Sequence, residues 1–286
     1  MGKIVIVGSG PAGCSAALYA ARAGQEVVVI SMGMGALSKA ELIQNYYGFE
    51  EGITGAELYR QGVAGAKAVG AEFITAEVVG LDYAATLVVQ TTAGDYPADA
   101  VILATGTGRI APKIAGLAEH EGRGVSYCAT CDAFFYRGKT AAVLGSGEYA
   151  LHEVQALLPL AGKVILCTNG EPLTADFPEG VEICTEKLAA VEGEEKVSAL
   201  RLENGELLPV EGLFVALGVA GSAALARKLG APVENGRIVV DERMQTGIPG
   251  LYAAGDCTGG LLQVCKAVYE GALAATEAIK QIRGKK

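Results

Sequence analysis

Two stretches of the chain share one order of apolar runs and glycine turns. Residues 3–31 combine an unbroken apolar strand, a glycine turn, a helix rich in small residues and a second apolar strand. The segment that begins TAAVLGSGEYA, near residue 140, repeats that order. Apolar runs without polar alternation are typical of parallel strands that are buried on both faces. The repeat therefore predicts an α/β chain built from two nucleotide-binding-type units.

The remaining pattern predicts the elements that complete these units. A helix is expected from Thr54 to Gly70, and β-branched runs around Ala93-Gly94-Asp95 predict a hairpin before a buried strand at 100–104. A second hairpin is expected to turn at Asn204-Gly205, because Asn-Gly is a strong hairpin signal. The last segment, from about Leu261 to Arg283, is predicted to be one long helix.

Length and charge narrow the possible classes of protein. The 286 residues exceed the ~100–200 usual for one domain, so two domains are expected. A formal net charge of −9 argues against nucleic acid and against an anionic membrane surface as partners. The chain contains no apolar run of the roughly 18–20 residues that span a bilayer, and its start does not resemble a signal peptide. These features predict a cytoplasmic protein.

The first glycine turn is Gly8-Ser9-Gly10-Pro11-Ala12-Gly13, which has the form G-x-G-x-x-G between a strand and a helix. Gly8 permits the tight turn, Gly10 lets the backbone approach a pyrophosphate, and Gly13 lets the helix pack on the strand. The turn therefore predicts a Rossmann-like dinucleotide site. An acid that binds the ribose is expected at the end of the second strand, but that strand ends at Ser31.

The second turn, residues 145–150, has the form G-x-G-x-x-A. The strand after it runs into Thr168-Asn169-Gly170-Glu171-Pro172, without the arginine that would hold the 2′-phosphate of NADPH. Glu148 also adds negative charge where a diphosphate would lie. The second unit is therefore predicted to be a nucleotide-binding fold that has lost its nucleotide.

Cys128 and Cys131 form the one Cys-x-x-Cys pair among seven cysteines. A structural zinc site needs four ligands, and the chain has no second pair and just two histidines, so no metal is predicted. Thiol–disulfide exchange is the remaining chemistry, and a flavin can supply electrons two at a time. Asp132 is a candidate proton shuttle, with helix capping as the alternative. The other cysteines are predicted to be packing residues: Cys14, Cys167, Cys184, Cys257 and Cys265.

Four segments together resemble the low-molecular-weight thioredoxin reductases: GSGPAG near the start, ATG at 104–106, GRGVSYCATCDAFFYRGK at 122–139 and GIPGLYAAGD at 247–256. The resemblance implies an FAD-binding domain formed by residues 1–111 and 243–286. It also implies an inserted central domain of the NADPH-binding type, residues 112–242, that carries the redox-active pair. Homodimers are usual in this family, so a homodimer is expected.

The resemblance also assigns roles to individual residues. Cys131 would face the flavin, Cys128 would attack the disulfide of the protein substrate, and Asp132 would handle the proton. Leu262 stands where the family usually has an arginine. The residues expected around FAD are Gly8, Ser9, Gly10, Pro11, Ala12, Gly13, Asn45, Val78, Thr105, Gly106, Gly255, Asp256 and Gln263.

The electron donor is the point on which this chain departs from the common family pattern. NADPH-dependent members carry a His-Arg-Arg motif where this chain has Cys167-Thr168-Asn169-Gly170. The departure resembles the subgroup of ferredoxin-dependent flavin thioredoxin reductases. The sequence therefore predicts an FAD enzyme that reduces thioredoxin with electrons from ferredoxin. Three alternatives stay open: an NADPH-dependent reductase, an oxygen-dependent dithiol oxidase, and a flavin-loaded sensor that is not an enzyme.

Overall fold

The structure is a computed structural model that describes residues 1–106, 113–218 and 220–284. The chain divides into two compact units. The first unit comprises Met1–Gly108 and Gly221–Lys286, and the second comprises Arg109–Ala220. Each unit is described by itself below.

The first segment of unit 1 contains a strand–turn–helix–strand device followed by a long loop. Its helices are α1 (Pro11–Arg22) and α2 (Gly55–Ala68), and Thr54 caps α2 by accepting a hydrogen bond from Glu57 N–H. Its strands are β1 (Lys3–Val7), β2 (Glu26–Ser31), β3 (Glu72–Thr75), β4 (Val78–Tyr83), β5 (Leu87–Thr91), β6 (Gly94–Ala98) and β7 (Ala100–Leu103).

Unit 2 contains the second copy of the device and a small antiparallel sheet. Its helices are the single turn α3 (Ala129–Asp132), which continues as a 3₁₀ turn, and α4 (Glu148–Leu157). Its strands are β8 (Val125–Ser126), β9 (Thr140–Leu144), β10 (Lys163–Cys167), β11 (Glu182–Cys184), β12 (Leu188–Glu192), β13 (Ala199–Leu202), β14 (Leu207–Pro209) and β15 (Gly212–Val215).

The last segment returns to unit 1 and completes its core. It contains α5 (Ser222–Lys228), β16 (Val233–Glu234), β17 (Arg237–Ile238), β18 (Leu251–Ala253) and α6 (Val264–Gly284). Helix α6 packs on α1 at close range, because a Cβ on Gly271 would lie 2.1 Å from the carbonyl oxygen of Ala12. A larger residue than glycine would push the two helices apart.

Each unit is organised around a parallel sheet whose central strands are apolar and buried. The order in unit 1 is β18-β7-β1-β2-β3, and the order in unit 2 is β11-β10-β9-β15-β8. Strands β7 and β9 have interiors with no exposed side chains, as expected when helices and loops cover both faces of a sheet. The predicted α/β fold with two Rossmann-like units is confirmed.

The predicted long elements are present with shifts of a few residues. Helix α2 begins one residue after Thr54, and α6 begins at Val264 where a start near Leu261 was predicted. Both predicted hairpins form, as β5–β6 and β13–β14. Among the described residues, no helix combines the length and apolarity needed to cross a bilayer.

The second boundary between the compact units differs from the predicted domain boundary. The division into 1–111 with 243–286 and 112–242 stays a prediction, and its first boundary lies outside the described residues. Residues 221–242 group with unit 1, where the sequence placed them in the central domain. The reason is visible at α5, since Ser222 N–H donates to Thr105 Oγ1 at 2.9 Å. The sequence pattern of this segment gave no indication of that contact.

Candidate functional site

The first glycine turn leaves open space above its second glycine. Gly8 has a φ of +109°, and a Cβ there would lie 2.4 Å from the carbonyl oxygen of Ala104. A Cβ on Gly13 would lie 1.9 Å from the carbonyl oxygen of Gly8. By contrast, a Cβ on Gly10 would meet no atom of the described residues within 4 Å. The turn is thus closed by backbone on two sides and open on the side where α1 begins, which fits the diphosphate of a dinucleotide such as FAD.

A chain of hydroxyl groups occupies the end of β2, where an acid was expected. Ser31 Oγ donates to Ser9 Oγ at 2.7 Å, and Ser9 Oγ lies 3.2 Å from the carbonyl oxygen of Gly33. Tyr59 Oη of α2 lies 3.1 Å from Ser9 Oγ. Ser9 itself is 2 % exposed, so this network is internal to the turn. The predicted residue Ser9 therefore fixes the turn, and Ser31 and Tyr59 are partners that the sequence motif did not indicate.

Gly255 and Asp256 follow β18 in a turn held by charged side chains of α6. Gly255 N–H donates to Glu270 Oε2 at 2.8 Å, and Lys266 Nζ donates to the carbonyl oxygen of Gly255 at 2.8 Å. Lys266 and Glu270 also form an ion pair of 2.9 Å with little exposure. Burial raises the pKa of the Asp256 carboxyl, with Lys266 acting in the opposite direction. The sequence missed Lys266 and Glu270, although their i, i+4 spacing on one helix predicts such a pair.

The structure brings some of the other predicted cofactor residues into contact and leaves one apart. Asn45 Nδ2 donates to Gln263 Oε1 at 2.9 Å, although 218 positions separate them in the chain. Thr105 Oγ1 lies 2.7 Å from Ser222 Oγ, and Gly106 has a φ of +76°. Val78 is buried at the start of β4, in the separate antiparallel sheet with β5 and β6.

The cysteine pair is closed as a disulfide at the start of α3. Cys128 and Cys131 have Cα atoms 5.4 Å apart and are joined through their sulfurs. Cys128 is the N-cap of α3, and Cys131 N–H donates to Cys128 Sγ at 3.1 Å. An N–H group directed at a sulfur stabilises a thiolate on that sulfur. Cys128 is buried within the structure, whereas Cys131 is exposed.

Two further polar side chains support the segment that carries the pair. Ser126 Oγ donates to Asp132 Oδ2 at 2.6 Å and accepts from Cys128 N–H at 3.1 Å. Glu153, which is 1 % exposed, accepts a hydrogen bond of 2.5 Å from Ala129 N–H. Sequence reasoning missed both. The available signal was helical spacing, because Glu153 falls on the buried face of α4 beside Tyr149 and Val154.

The second glycine turn is covered by the chain that follows β10. A Cβ on Gly147 would lie 3.0 Å from Thr174 Oγ1, and Thr174 N–H donates to the carbonyl oxygen of Ser146 at 2.8 Å. Asn169 Oδ1 accepts from Leu188 N–H at 2.8 Å, which ties the start of the same loop to β12. The Thr174 hydroxyl therefore lies where a group bound above Gly147 would have to approach the backbone.

Several residues have surroundings that the sequence pattern did not indicate. His120 is buried, and its ring nitrogens lie 2.7 and 3.1 Å from the carbonyl oxygens of Gly116 and Gly193. Cys265 was expected in the core and is exposed. Phe134 and Phe135, close to the cysteine pair in the chain, are each 66 % exposed. The pattern of apolar runs predicts where strands and helices lie, but it does not predict which side chains of loops and short helical turns are buried.

Comparison with known proteins gives a consistent result over nearly the whole chain. The sequence profile of the pyridine nucleotide-disulphide oxidoreductase family matches residues 2–271. A thioredoxin reductase of Aquifex aeolicus is 35 % identical over 99 % of this chain and 94 % of its own.

Two solved structures are also similar. An atypical thioredoxin reductase from Desulfovibrio vulgaris Hildenborough has a TM-score of 0.93 at 40 % identity, covering 99 % of both chains. A ferredoxin-flavin thioredoxin reductase from Clostridium acetobutylicum has a TM-score of 0.74 at 36 % identity, covering 99 % of this chain and 98 % of its own.

Proposed function

Because the chain belongs to the pyridine nucleotide-disulphide oxidoreductase family, we propose that it is an FAD-dependent enzyme that reduces the disulfide of thioredoxin with electrons from ferredoxin. The observation that carries the reductase activity is the closed Cys128–Cys131 pair beside two exposed aromatic rings, Phe134 and Phe135. Apolar aromatic surface next to a reactive pair suits a protein substrate better than a small dithiol.

The residues that would hold FAD lie in unit 1. The open backbone at Gly10 would receive the diphosphate, and the turn at Gly255-Asp256 would receive the ribityl chain, with Asp256 as hydrogen-bond acceptor. Asn45 and Gln263 would border the ring. When bound, FAD supplies the electron pair that opens the Cys128–Cys131 disulfide.

The reduced pair then acts by thiol–disulfide exchange. The Cys128 thiolate attacks one sulfur of the thioredoxin disulfide, and the other thioredoxin sulfur leaves with a proton. Cys131 next attacks the mixed disulfide, which releases reduced thioredoxin and restores the Cys128–Cys131 bond. Asp132, held by Ser126, is the group proposed to deliver and accept the protons. The N–H of Cys131 favours Cys128 as the attacking thiolate.

Single-cysteine variants test these roles, since Cys131 is the exposed residue and Cys128 the buried one. We expect Cys131→Ser to accumulate a covalent complex with oxidised thioredoxin, because its remaining Cys128 attacks but nothing resolves the product. Cys128→Ser should form little complex. Both variants should lose turnover by about 10³-fold or more, since each half of the exchange needs one thiol. Non-reducing electrophoresis and steady-state assays give the readouts, and complex formation by Cys128→Ser alone would reverse the assignment.

The electron donor is proposed from the covered second turn. A dinucleotide needs room above Gly147, and Thr174 lies there instead. An iron–sulfur protein needs no such site, because it can pass electrons to the flavin by docking near it.

Anaerobic titration of the yellow protein tests the donor. Reduced ferredoxin should bleach the flavin absorbance once it has supplied two electrons for the Cys128–Cys131 disulfide and two for the flavin, while NADPH and NADH should leave the absorbance unchanged. Rapid bleaching by NADPH would establish an NADPH-dependent reductase. Oxygen consumption with small dithiols, together with no reduction of thioredoxin, would instead establish a dithiol oxidase.

A homodimer and a cytoplasmic location complete the proposal. The homodimer follows from the family resemblance. The cytoplasmic location fits the cysteine usage, since five cysteines are free thiols and the paired two are the proposed redox centre. Sedimentation equilibrium of the flavin-loaded protein tests the oligomeric state, and a monomer at micromolar concentration would contradict it.

A further inference from the structure

A second pair of cysteines faces each other at the edge of the sheet in unit 2. Cys167 ends β10 and Cys184 ends β11, and the two residues are direct register partners in this parallel pair. Strand β11 is the outer strand of the sheet. Partner residues of neighbouring strands project from the same face, so the two thiols lie side by side. They are 17 positions apart in the chain and belong to no recognised motif.

The backbone geometry of this pair fits a disulfide without rearrangement of the sheet. Neighbouring strands lie about 4.7–4.9 Å apart, and disulfides join Cα atoms that are about 4.4–6.8 Å apart. Closing the bond therefore needs a small rotation about the side-chain torsions rather than a movement of backbone.

The two thiols differ in how easily a reagent can reach them. Cys167 is fully buried, and this burial raises the pKa of its thiol, so it stays protonated and is a poor first target. Cys184 is partly exposed on the outer strand. An oxidant therefore reaches Cys184 first, and Cys167 is the neighbour positioned to respond.

We propose that Cys167 and Cys184 are a redox-modification site, which hydroperoxides convert into a second, reversible disulfide. In the first step the Cys184 sulfur takes one oxygen from the hydroperoxide, giving a sulfenic acid and releasing the alcohol or water. In the second step the Cys167 sulfur displaces hydroxide from Cys184, and a water molecule leaves with the thiol proton. Both electrons that the two thiols lose go to the peroxide oxygen.

The new bond would fix the loop that covers the second glycine turn. Residues 168–181 form the loop that connects β10 to β11, and Thr174 within this loop lies above Gly147. A disulfide between Cys167 and Cys184 would join the two ends of this loop and so restrict its movement. It would also protect both thiols from irreversible oxidation, because a disulfide can be reduced whereas sulfinic and sulfonic acids generally cannot.

Peptide mapping of the flavin-loaded protein tests the proposal directly. The protein is treated with hydrogen peroxide, denatured without reductant, alkylated with N-ethylmaleimide and digested with trypsin. Both cysteines fall in one tryptic peptide, residues 164–187. We expect this peptide to appear unlabelled and two hydrogen atoms lighter than its reduced form, and to carry two labels when dithiothreitol precedes alkylation. The peptide 124–137, which holds the Cys128–Cys131 pair, is the internal standard for a closed disulfide.

Variants and other thiols provide the matched controls. In Cys184→Ser, Cys167 should remain fully labelled after peroxide treatment, because a buried thiol alone is not attacked. In Cys167→Ala, Cys184 should give a dimedone adduct in place of the disulfide. Cys265, an exposed thiol, reports the dose of oxidant.

Two results would overturn the proposal. One is retention of both labels on peptide 164–187 at a dose that oxidises Cys265. The other is oxygen added to Cys184 while Cys167 keeps its label. The wild-type measurement does not depend on any variant folding, nor on the identity of the electron donor.

Discussion

The two glycine turns share a backbone and differ in what lies above it. Gly8 N–H donates to the carbonyl oxygen of Ile30 at 2.8 Å, and Gly145 N–H donates to that of Cys167 at 3.0 Å. These bonds match the turns residue by residue, so that Ser31 corresponds to Thr168. The space above the second glycine is open at Gly10, while at Gly147 it holds Thr174.

The two units also differ in the hydroxyl group at the end of the second strand, Ser31 at the end of β2 and Thr168 after β10. Ser31 Oγ donates to Ser9 Oγ, within a network that continues to Tyr59. Thr168 Oγ1 is buried and has no hydrogen-bond partner among the described residues. The strand–turn–helix backbone therefore serves as a folding unit in both places. Whether it can also accept a dinucleotide is decided by the loop after the second strand.

The largest expected effect is loss of the flavin from a variant of the first glycine turn. Gly10→Glu places a side chain and a negative charge in the open space where the diphosphate would bind. The backbone there has a φ of −69°, which suits any residue, so we expect a folded but colourless protein. The measurement is flavin absorbance per mole of purified protein, with far-UV circular dichroism as the check on folding.

The matched control is Gly147→Glu in the second turn. It displaces Thr174 locally but touches no proposed cofactor site, so the protein should stay yellow and active. A full complement of flavin in Gly10→Glu, or loss of flavin in Gly147→Glu, would contradict the assignment of the first turn as the single dinucleotide site.

The comparison also separates what the sequence could predict from what it could not. The paired strand–turn–helix units follow from apolar runs and glycine spacing, which are local properties of the chain. The redox pair follows from its spacing and from the scarcity of other ligands. The cover over Gly147 does not follow, because Thr174 reaches the turn through a loop whose path depends on tertiary contacts. The hydrogen bonds of Glu153 to Ala129 and of Glu270 to Gly255, and the buried position of His120, depend on such contacts in the same way.

Asp256→Asn is expected to have a smaller effect, confined to the open site. Loss of a charged hydrogen-bond acceptor for the ribityl chain should weaken FAD binding by about tenfold or more, since hydrogen bonds to charged groups contribute about 1.5–3 kcal/mol. Fluorescence titration of the apoprotein with FAD gives the dissociation constant. Unchanged affinity would exclude Asp256 from the cofactor site.

The same variant should move the stability of the apoprotein in the opposite direction. Burial raises the pKa of Asp256 above the ordinary 3.8, so the folded state binds this proton more tightly than the unfolded state. Stability contributed by the group is therefore lost as the pH rises through the folded pKa. The asparagine side chain does not ionise, so the variant lacks this pH-dependent loss of stability. In urea unfolding, the free energy of unfolding of Asp256→Asn should exceed that of the wild type by a difference that grows from about pH 4 towards neutrality. A difference in unfolding free energy that stayed constant across this pH range would contradict the prediction that the pKa of Asp256 is raised in the folded state.

The smallest expected effects are changes in the free energy of unfolding at the ends of β2 and β10. Thr168→Val replaces a buried, unpartnered hydroxyl with a methyl group of similar shape, so the free energy of unfolding should rise by about 1 kcal/mol. Ser31→Ala removes a donor that is satisfied by Ser9, so the free energy of unfolding should fall by about 1 kcal/mol. The two substitutions remove the same kind of group from matched positions and are expected to differ in sign.

Native-state hydrogen exchange measures both changes, because amides of β2 and β10 report on their own units without requiring two-state unfolding of the whole chain. Protection of β10 amides should increase in Thr168→Val, and protection of β2 amides should decrease in Ser31→Ala. If Thr168→Val lowered the protection of β10, the Thr168 hydroxyl would have a hydrogen-bond partner in solution. The sign of this single change therefore tests whether the end of β10 carries an unsatisfied polar group where the end of β2 carries a satisfied one.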